Sequence, residues 1–256
     1  MASDDDSDFP EPIPAATLVV MRDGPRAPEL LIVERARTMV FAGGALVFPG
    51  GRIDAADHLT AAAFEGEPDD TAARIAAIRE TIEEAGVPIG LDRLPDPETL
   101  NAIREGLHRG EPLGGLLAGH GIGLRLDKLI PFARWCPRHR NMRIFDTRFY
   151  LARMPEGAPD PQVDATENSR VFWQRAADVL ADADAGRATI IFPTRRNLER
   201  LAQFESFDDA AAHARAFPLR TVTPWTEERD GLPHLCIPDD LGYPVTAEPL
   251  TAANRG

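Results

Sequence analysis

The chain is poor in the features that mark secreted, membrane or nucleic-acid-binding proteins. Its 256 residues hold two cysteines, Cys136 and Cys236, in no C-x-x-C pair, which argues against a disulfide framework or a zinc site and leaves two reduced thiols. The start, Met1-Ala2-Ser3-Asp4-Asp5-Asp6, lacks the basic and apolar regions of a signal peptide, and no apolar run approaches membrane-spanning length. A cytoplasmic protein with no membrane partner is expected. Positive charge is also short: 28 Lys and Arg face 41 Asp and Glu, a formal net charge of −13. Affinity drawn from nucleic-acid phosphates needs a basic face, so that class is excluded, whereas a small anionic ligand is compatible if metal ions and a few local arginines offset its charge. His108, His120, His213 and His234 stand at no metal-ligand spacing, and no internal repeat is present.

What is present suits one elaborated domain over residues 15–256, after an acidic, Pro-bearing tail at 1–14; 43% of the residues are hydrophobic, enough for a real core. Short β-branched runs at 16–21 and 29–34, separated by Asp23-Gly24-Pro25 and Pro28, read as a hairpin. A strand over 44–48 feeds Pro49-Gly50-Gly51. Residues 54–70, rich in Ala and acids, read as a peripheral loop that tolerates deletion of residues 61–66. Pro68-Asp69-Asp70-Thr71 then opens a helix with a narrow Ala and Ile face, stopped at Gly86. Residues 95–135 read as a mostly helical insert over one side of the cleft, 141–152 and 169–173 as strands, 176–183 as a helix, 193–220 as a helical extension and 235–237 as a last strand. Mixed strands with helices on both sides give an α/β sandwich.

The chemistry concentrates in Arg79-Glu80-Thr81-Ile82-Glu83-Glu84-Ala85-Gly86-Val87. Residues three and four apart share a helix face, so Glu80, Glu83 and Glu84 would direct three carboxylates into one small volume. Like charges that close raise one another's pKa, a cost relieved by a hard divalent cation such as Mg²⁺ or Mn²⁺. The competing reading is a solvated acidic face.

The stretch resembles the box of the Nudix hydrolases, G-x5-E-x7-R-E-U-x-E-E-x-G-U, at Arg79-Glu80, Glu83-Glu84 and Gly86-Val87, with Thr81 at an aliphatic position. Between Gly51 and Arg79 lie 27 residues where the box allows 13, and Asp57 falls by count on the first Glu; Asp70 is the alternative. An interrupted box is similar to that of the coenzyme A diphosphatase-like subfamily with a loop inserted inside the motif. The landmarks Trp135-Cys136-Pro137, Phe145-Asp146-Thr147-Arg148-Phe149 and Phe192-Pro193-Thr194 look like those of the same subfamily.

The resemblance implies the Nudix α/β/α sandwich with a mixed sheet, and hydrolysis of a small-molecule diphosphate. It assigns Mg²⁺ or Mn²⁺ to Glu80, Glu83, Glu84 and the Gly50 carbonyl, with Arg79 orienting Glu80. It also suggests a base on the loop before a Trp-bearing strand, where Glu167 precedes Trp173 and Asp164 and Asp160 lie near. A coenzyme A-associated motif, L-L-T-x-R-[SA]-x3-R-x3-G-x3-F-P-G-G, is met at Leu30, Leu31, Arg35, Ala36, Gly44, Phe48, Pro49, Gly50 and Gly51, but Ile32 replaces Thr and Val40 replaces the second Arg. Arg35 and Gly51 are therefore substrate candidates. Arg138, Arg140 and Arg143 cluster in an acidic chain and either receive phosphates or balance charge in a solvated loop. Coenzyme A or its thioesters lead as substrate, with NADH, ADP-ribose, a nucleotide sugar, or a non-catalytic nucleotide sensor as alternatives.

Overall fold

A ten-residue strand, β1 (Ile13–Arg22), is the spine of the sheet because its β-branched run is buried on both faces. The computed structural model describes residues 9–39, 42–138, 143–164 and 167–253. β1 pairs with β2 (Glu29–Arg35) only near the hairpin, at Met21↔Leu30 and Arg22↔Glu29. The two strands then part, and the short β3 (Leu46–Val47) and β4 (Gly50–Arg52) fill the fork, β3 on β2 and β4 on β1 through Thr17↔Gly50, Ala16↔Gly51 and Ala15↔Arg52. Two helices follow, α1 (Ala55–Ala61) and α2 (Pro68–Ala85), then α3 (Pro97–His108) and α4 (Leu113–Gly119).

β5 (Ile130–Trp135) and β6 (Phe145–Arg153) extend the sheet beyond β1, β6 running parallel to β1 and antiparallel to β5. β7 (Asn168–Arg175) covers the far edge of β2. Helices α5 (Ala176–Asp184), α6 (Phe192–Leu201) and α7 (Phe207–Ala216) lead to β8 (Thr221–Val222), parallel to β5. A separate small sheet of β9 (Trp225–Arg229), β10 (Leu232–Cys236) and β11 (Ala247–Pro249) precedes α8 (Leu250–Ala253).

Alternation along β1 divides the core. Leu18 and Val20 face α2, α3 and α4 together with Leu31, Tyr150 and Ala152, while Val19 and Met21 face α5, α6 and α7 with Leu30, Ile32 and Leu151. The α/β/α sandwich with its mixed sheet is thus the observed architecture. Among the described residues no helix is long and apolar enough to cross a membrane.

α2 owes its position to Ala72, Ala73, Ala76 and Ala77, all fully buried with Ile75, Ile78 and Ile82. Small side chains bring its axis close to the sheet and fix where its last turns emerge. Glu67, rather than a residue after Pro68, caps the start by accepting hydrogen bonds from the Asp69 and Asp70 N–H groups, and Gly86 at φ 65° ends the helix.

Four expectations are corrected. Residues 54–70 begin with helix α1 instead of a loop, since Asp57 accepts from the Asp54 N–H at 2.9 Å and Ala61 is buried on the α2 side. Residues 95–135 end in a strand: Pro131 conceals β5 in the sequence, and the irregular register between Pro131 and Ala133 breaks its alternation. The tail gives way to β1 at Ile13, whose N–H donates to the Ile144 carbonyl at 2.8 Å. The strand read at 141–152 starts at Phe145, and residues 139–142 lie outside the described residues, as do 1–8 of the tail.

Leu18→Ala is expected to cost about 2–5 kcal/mol, because it opens a cavity under α2 at a fully buried position. Urea unfolding followed by far-UV circular dichroism checks this.

Candidate active site

Three segments meet on the guanidinium of Arg79. Its Nε and Nη2 donate to the two carboxylate oxygens of Asp57 on α1 at 3.1 and 3.0 Å; Nη2 also donates to the Arg52 carbonyl on β4 at 2.8 Å, and Nη1 to Glu80 Oε1 at 2.8 Å. Asp54 and Glu83 add ion pairs at 3.6 and 3.7 Å. Burial works against the charge of Arg79, but the Asp57 hydrogen bonds and the surrounding carboxylates hold its pKa above the ordinary value.

The glutamates emerge from the last turns of α2 against β4. A Cβ on Gly51 would fall 2.6 Å from the Glu80 carboxyl carbon, so only glycine lets strand and carboxylate pack at this distance. The Gly50 N–H donates to Glu84 Oε2 at 3.0 Å. Burial pushes Glu80 up to about 7, with Arg79 opposing and Glu83 and Glu167 adding to the rise. Burial and then the Glu80 charge push Glu84 up to about 8. Glu83, half-buried, is raised by desolvation against the pull of Arg79 and His108, whose Nδ1 stands 3.5 Å from its carboxylate.

Glu167 is exposed just before β7, and its charge bears on both Glu80 and Glu83. Asp164 is turned toward the backbone, accepting from the Glu167 and Asn168 N–H groups at 3.3 Å each. Arg35 is paired in register with Asn168, and its charge acts on Glu84. Asp57, not Asp70, is the aspartate bound to Arg79; Asp70 accepts from Tyr150 Oη at 2.7 Å and Arg74 Nε at 2.6 Å one turn into α2. Arg138 lies over the Phe9 ring at 5.7 Å and Arg143 is exposed ahead of β6. Since Phe145 pairs with Ile13 and Gly50 with Thr17, that end of the sheet is on the order of 13 Å along β1 from Gly50. Arg140 lies outside the described residues.

No protein-family model matches the chain. A putative Nudix hydrolase 7 of Caenorhabditis elegans is 26% identical over 223 residues, covering 84% of this chain and 69% of that protein. An acyl-coenzyme A diphosphatase of Gallus gallus is 27% identical over 281 residues, covering 86% and 74%. The crystal structure of a Nudix hydrolase from Alicyclobacillus acidocaldarius superposes with a TM-score of 0.70 at 29% identity, covering 79% of this chain and 96% of that one. The chain belongs to the Nudix hydrolase superfamily. It is a hydrolase of the pyrophosphatase kind.

Nudix hydrolases generally use divalent metal ions, and the donor chemistry here fits one. Among the described residues no three His, Cys, Asp or Glu side chains are gathered into a ready metal cage, because Glu80 is drawn to Arg79 and Glu84 to the Gly50 N–H. Yet Glu84 is a buried acid burdened further by the Glu80 charge, and the buried Asn168 amide beside it eases that rise without cancelling it. Hard oxygen donors with unmet electrostatic demand are what Mg²⁺ or Mn²⁺ satisfies. Sequence reasoning missed Asn168 and the approach of His108 to Glu83. The first carries no motif, and the second depends on how α3 packs along α2.

Two outcomes follow for the metal-free protein. Folded Glu84 holds its proton to about pH 8, whereas the ordinary value is 4.5, so the folded state binds more protons between those limits and stability falls as pH rises through that window. In EDTA, Glu84→Gln should raise Tm by roughly 2–4 °C or more above pH 8 and change little near pH 4.5, as calorimetry at several pH values would record. Asp57→Asn should lower stability by about 3–5 kcal/mol in urea unfolding, because it leaves the buried Arg79 charge short of its main partner.

Proposed function

We propose that this Nudix hydrolase is a metal-dependent diphosphatase that cleaves coenzyme A or acyl-coenzyme A to 3′,5′-ADP and a 4′-phosphopantetheine product. The observation that carries the reading is the gathering of Glu80, Glu83 and Glu84 at the end of α2 against Gly50 and Gly51, with Glu80 held by Arg79 Nη1 at 2.8 Å and Glu84 by the Gly50 N–H at 3.0 Å. The name of the Gallus gallus relative, an acyl-coenzyme A diphosphatase, supports the substrate, as do Arg35 and the Phe48-Pro49-Gly50-Gly51 end of the coenzyme A-associated motif.

In this reading Glu80, Glu83, Glu84 and the Gly50 carbonyl hold Mg²⁺ or Mn²⁺. A bound divalent ion supplies neutralisation of the diphosphate charge and acidifies water. Arg79 fixes the rotamer of Glu80 and keeps its carboxylate aimed at the cleft. Glu167, solvent-facing and across from Glu80 and Glu83, accepts the proton of the attacking water. Arg35 and Gly51 lie along the substrate diphosphate, Arg35 as cation and Gly51 as a backbone surface that admits close approach. Arg138, Arg140 and Arg143 take the remote phosphate of the nucleotide.

Glu83→Gln should lower kcat by about two orders of magnitude or more at saturating Mg²⁺ or Mn²⁺. The substrate is tested by kcat/KM across coenzyme A, acetyl-coenzyme A, NADH, ADP-ribose, a dinucleoside polyphosphate and a nucleoside triphosphate, with products identified by mass. Coenzyme A species should lead; a tenfold preference for NADH or ADP-ribose overturns the substrate while leaving the diphosphatase class.

A further inference from the structure

The segments that depart from the regular Nudix box build a second feature beside it. α1, which follows Gly51 in the interrupted box, and α4 with the loop behind it, from the insert after α2, enclose a groove of about 440 Å³. That volume is within the range of about 300–1,000 Å³ usual for small-molecule sites. Its walls include Leu59, Phe64, Leu117, Ile122, Leu124 and Gly115, and no charged side chain lines it. The Thr60 hydroxyl, which also reaches it, is engaged by the Ala56 carbonyl at 2.9 Å. Leu59 is 77% exposed and Phe64 38% exposed, so apolar surface stands open to water at the rim.

Both walls are anchored on the box. α1 carries Asp57, bonded to Arg79, one residue from Ala56 at the near end of the groove. α3, whose last residue His108 stands 3.5 Å from Glu83, leads within a few residues to Pro112 and Gly114 on the opposite wall. The near end therefore lies within about one helix diameter, ~10–12 Å, of Arg79, and the groove runs away from the box along α1 for on the order of 10 Å. A ligand reaching it from the diphosphate needs a linear spacer followed by an uncharged apolar end.

We propose that this groove receives the acyl chain of acyl-coenzyme A, a placement that rests on the diphosphatase reading above. The pantetheine arm spans from the diphosphate past α1, and the fatty acyl end lies against Leu59, Phe64, Leu117 and Ile122. The groove thereby sets preference among thioesters without touching the reacting phosphorus. Gly115, exposed on this wall, adds no side chain to the groove; a Cβ there meets nothing within 4 Å, so α4 accepts a larger residue at that position.

The experiment compares kcat and KM for coenzyme A, acetyl-coenzyme A and octanoyl-coenzyme A in the full chain and in Gly115→Leu and Leu59→Gln. KM should be about tenfold or more lower for octanoyl- than for acetyl-coenzyme A, since each buried methylene favours binding. Gly115→Leu should abolish that difference and Leu59→Gln reduce it, both with free coenzyme A turnover unchanged. Turnover of coenzyme A with no dependence on chain length, or a chain-length dependence that survives Gly115→Leu, overturns the groove assignment alone. No turnover of any coenzyme A species overturns both it and the substrate reading. If Gly115→Leu instead changes the oligomeric state in light scattering and leaves the octanoyl KM as it was, the groove is a subunit contact and the assignment falls.

Discussion

A buried guanidinium is the constraint on which the site depends. Arg79 is nearly sealed from water, and a sealed cation costs several kcal/mol unless its donors are satisfied by well-placed acceptors. The acceptors come from three places: Asp57 of α1, the carbonyl of Arg52 on β4 and Glu80 next to it on α2. Because each belongs to a different element, the same charge that demands compensation also fixes where the helix end, the glycine strand and the inserted helix meet. The segment between Gly51 and Arg79 can be long only because it returns Asp57 to this point.

Packing against the sheet completes the placement. The Ala face of α2 sets the helix close to β1, and the fork between β1 and β2 opens room for β4 to bring Gly50 and Gly51 under its last turns. Side chains larger than hydrogen at Gly51 would displace Glu80, and bulk at the buried Ala positions would lift the whole helix. Local composition and tertiary position are therefore one requirement.

That requirement explains what the sequence could tell. The glutamate helix, its Gly86 stop, the hairpin and the Pro49-Gly50-Gly51 turn are written in short-range patterns and were legible as such. Asp57 was ambiguous because counting from Gly51 cannot reveal on which side of it the extra residues fall; the structure has them after Asp57, which leaves the Gly51-to-Asp57 spacing of the box intact. β5 was hidden by Pro131 at an irregular register, and the small β9–β10–β11 sheet by strands with little apolar alternation. Asn168 could not be found from sequence, since its position beside Glu84 follows from β7 pairing with β2, a long-range event with no local mark.

The carboxylates complete the logic that Arg79 begins. One cation cannot neutralise Asp57, Glu80, Glu83 and Glu84 together, and its strongest bonds go to Asp57 and Glu80. Glu84 is left with the Gly50 N–H and the neighbouring Asn168 amide, so burial pushes it up to about 8, above the value of about 7 reached by Glu80. Without a cation Glu84 therefore keeps its proton near neutral pH, and its ionisation at higher pH is a local cost to the folded state. Oxygen donors in that state are of the kind that a small hard cation satisfies, and the charge of Arg35, from the facing strand edge, acts on the same volume with the opposite sign.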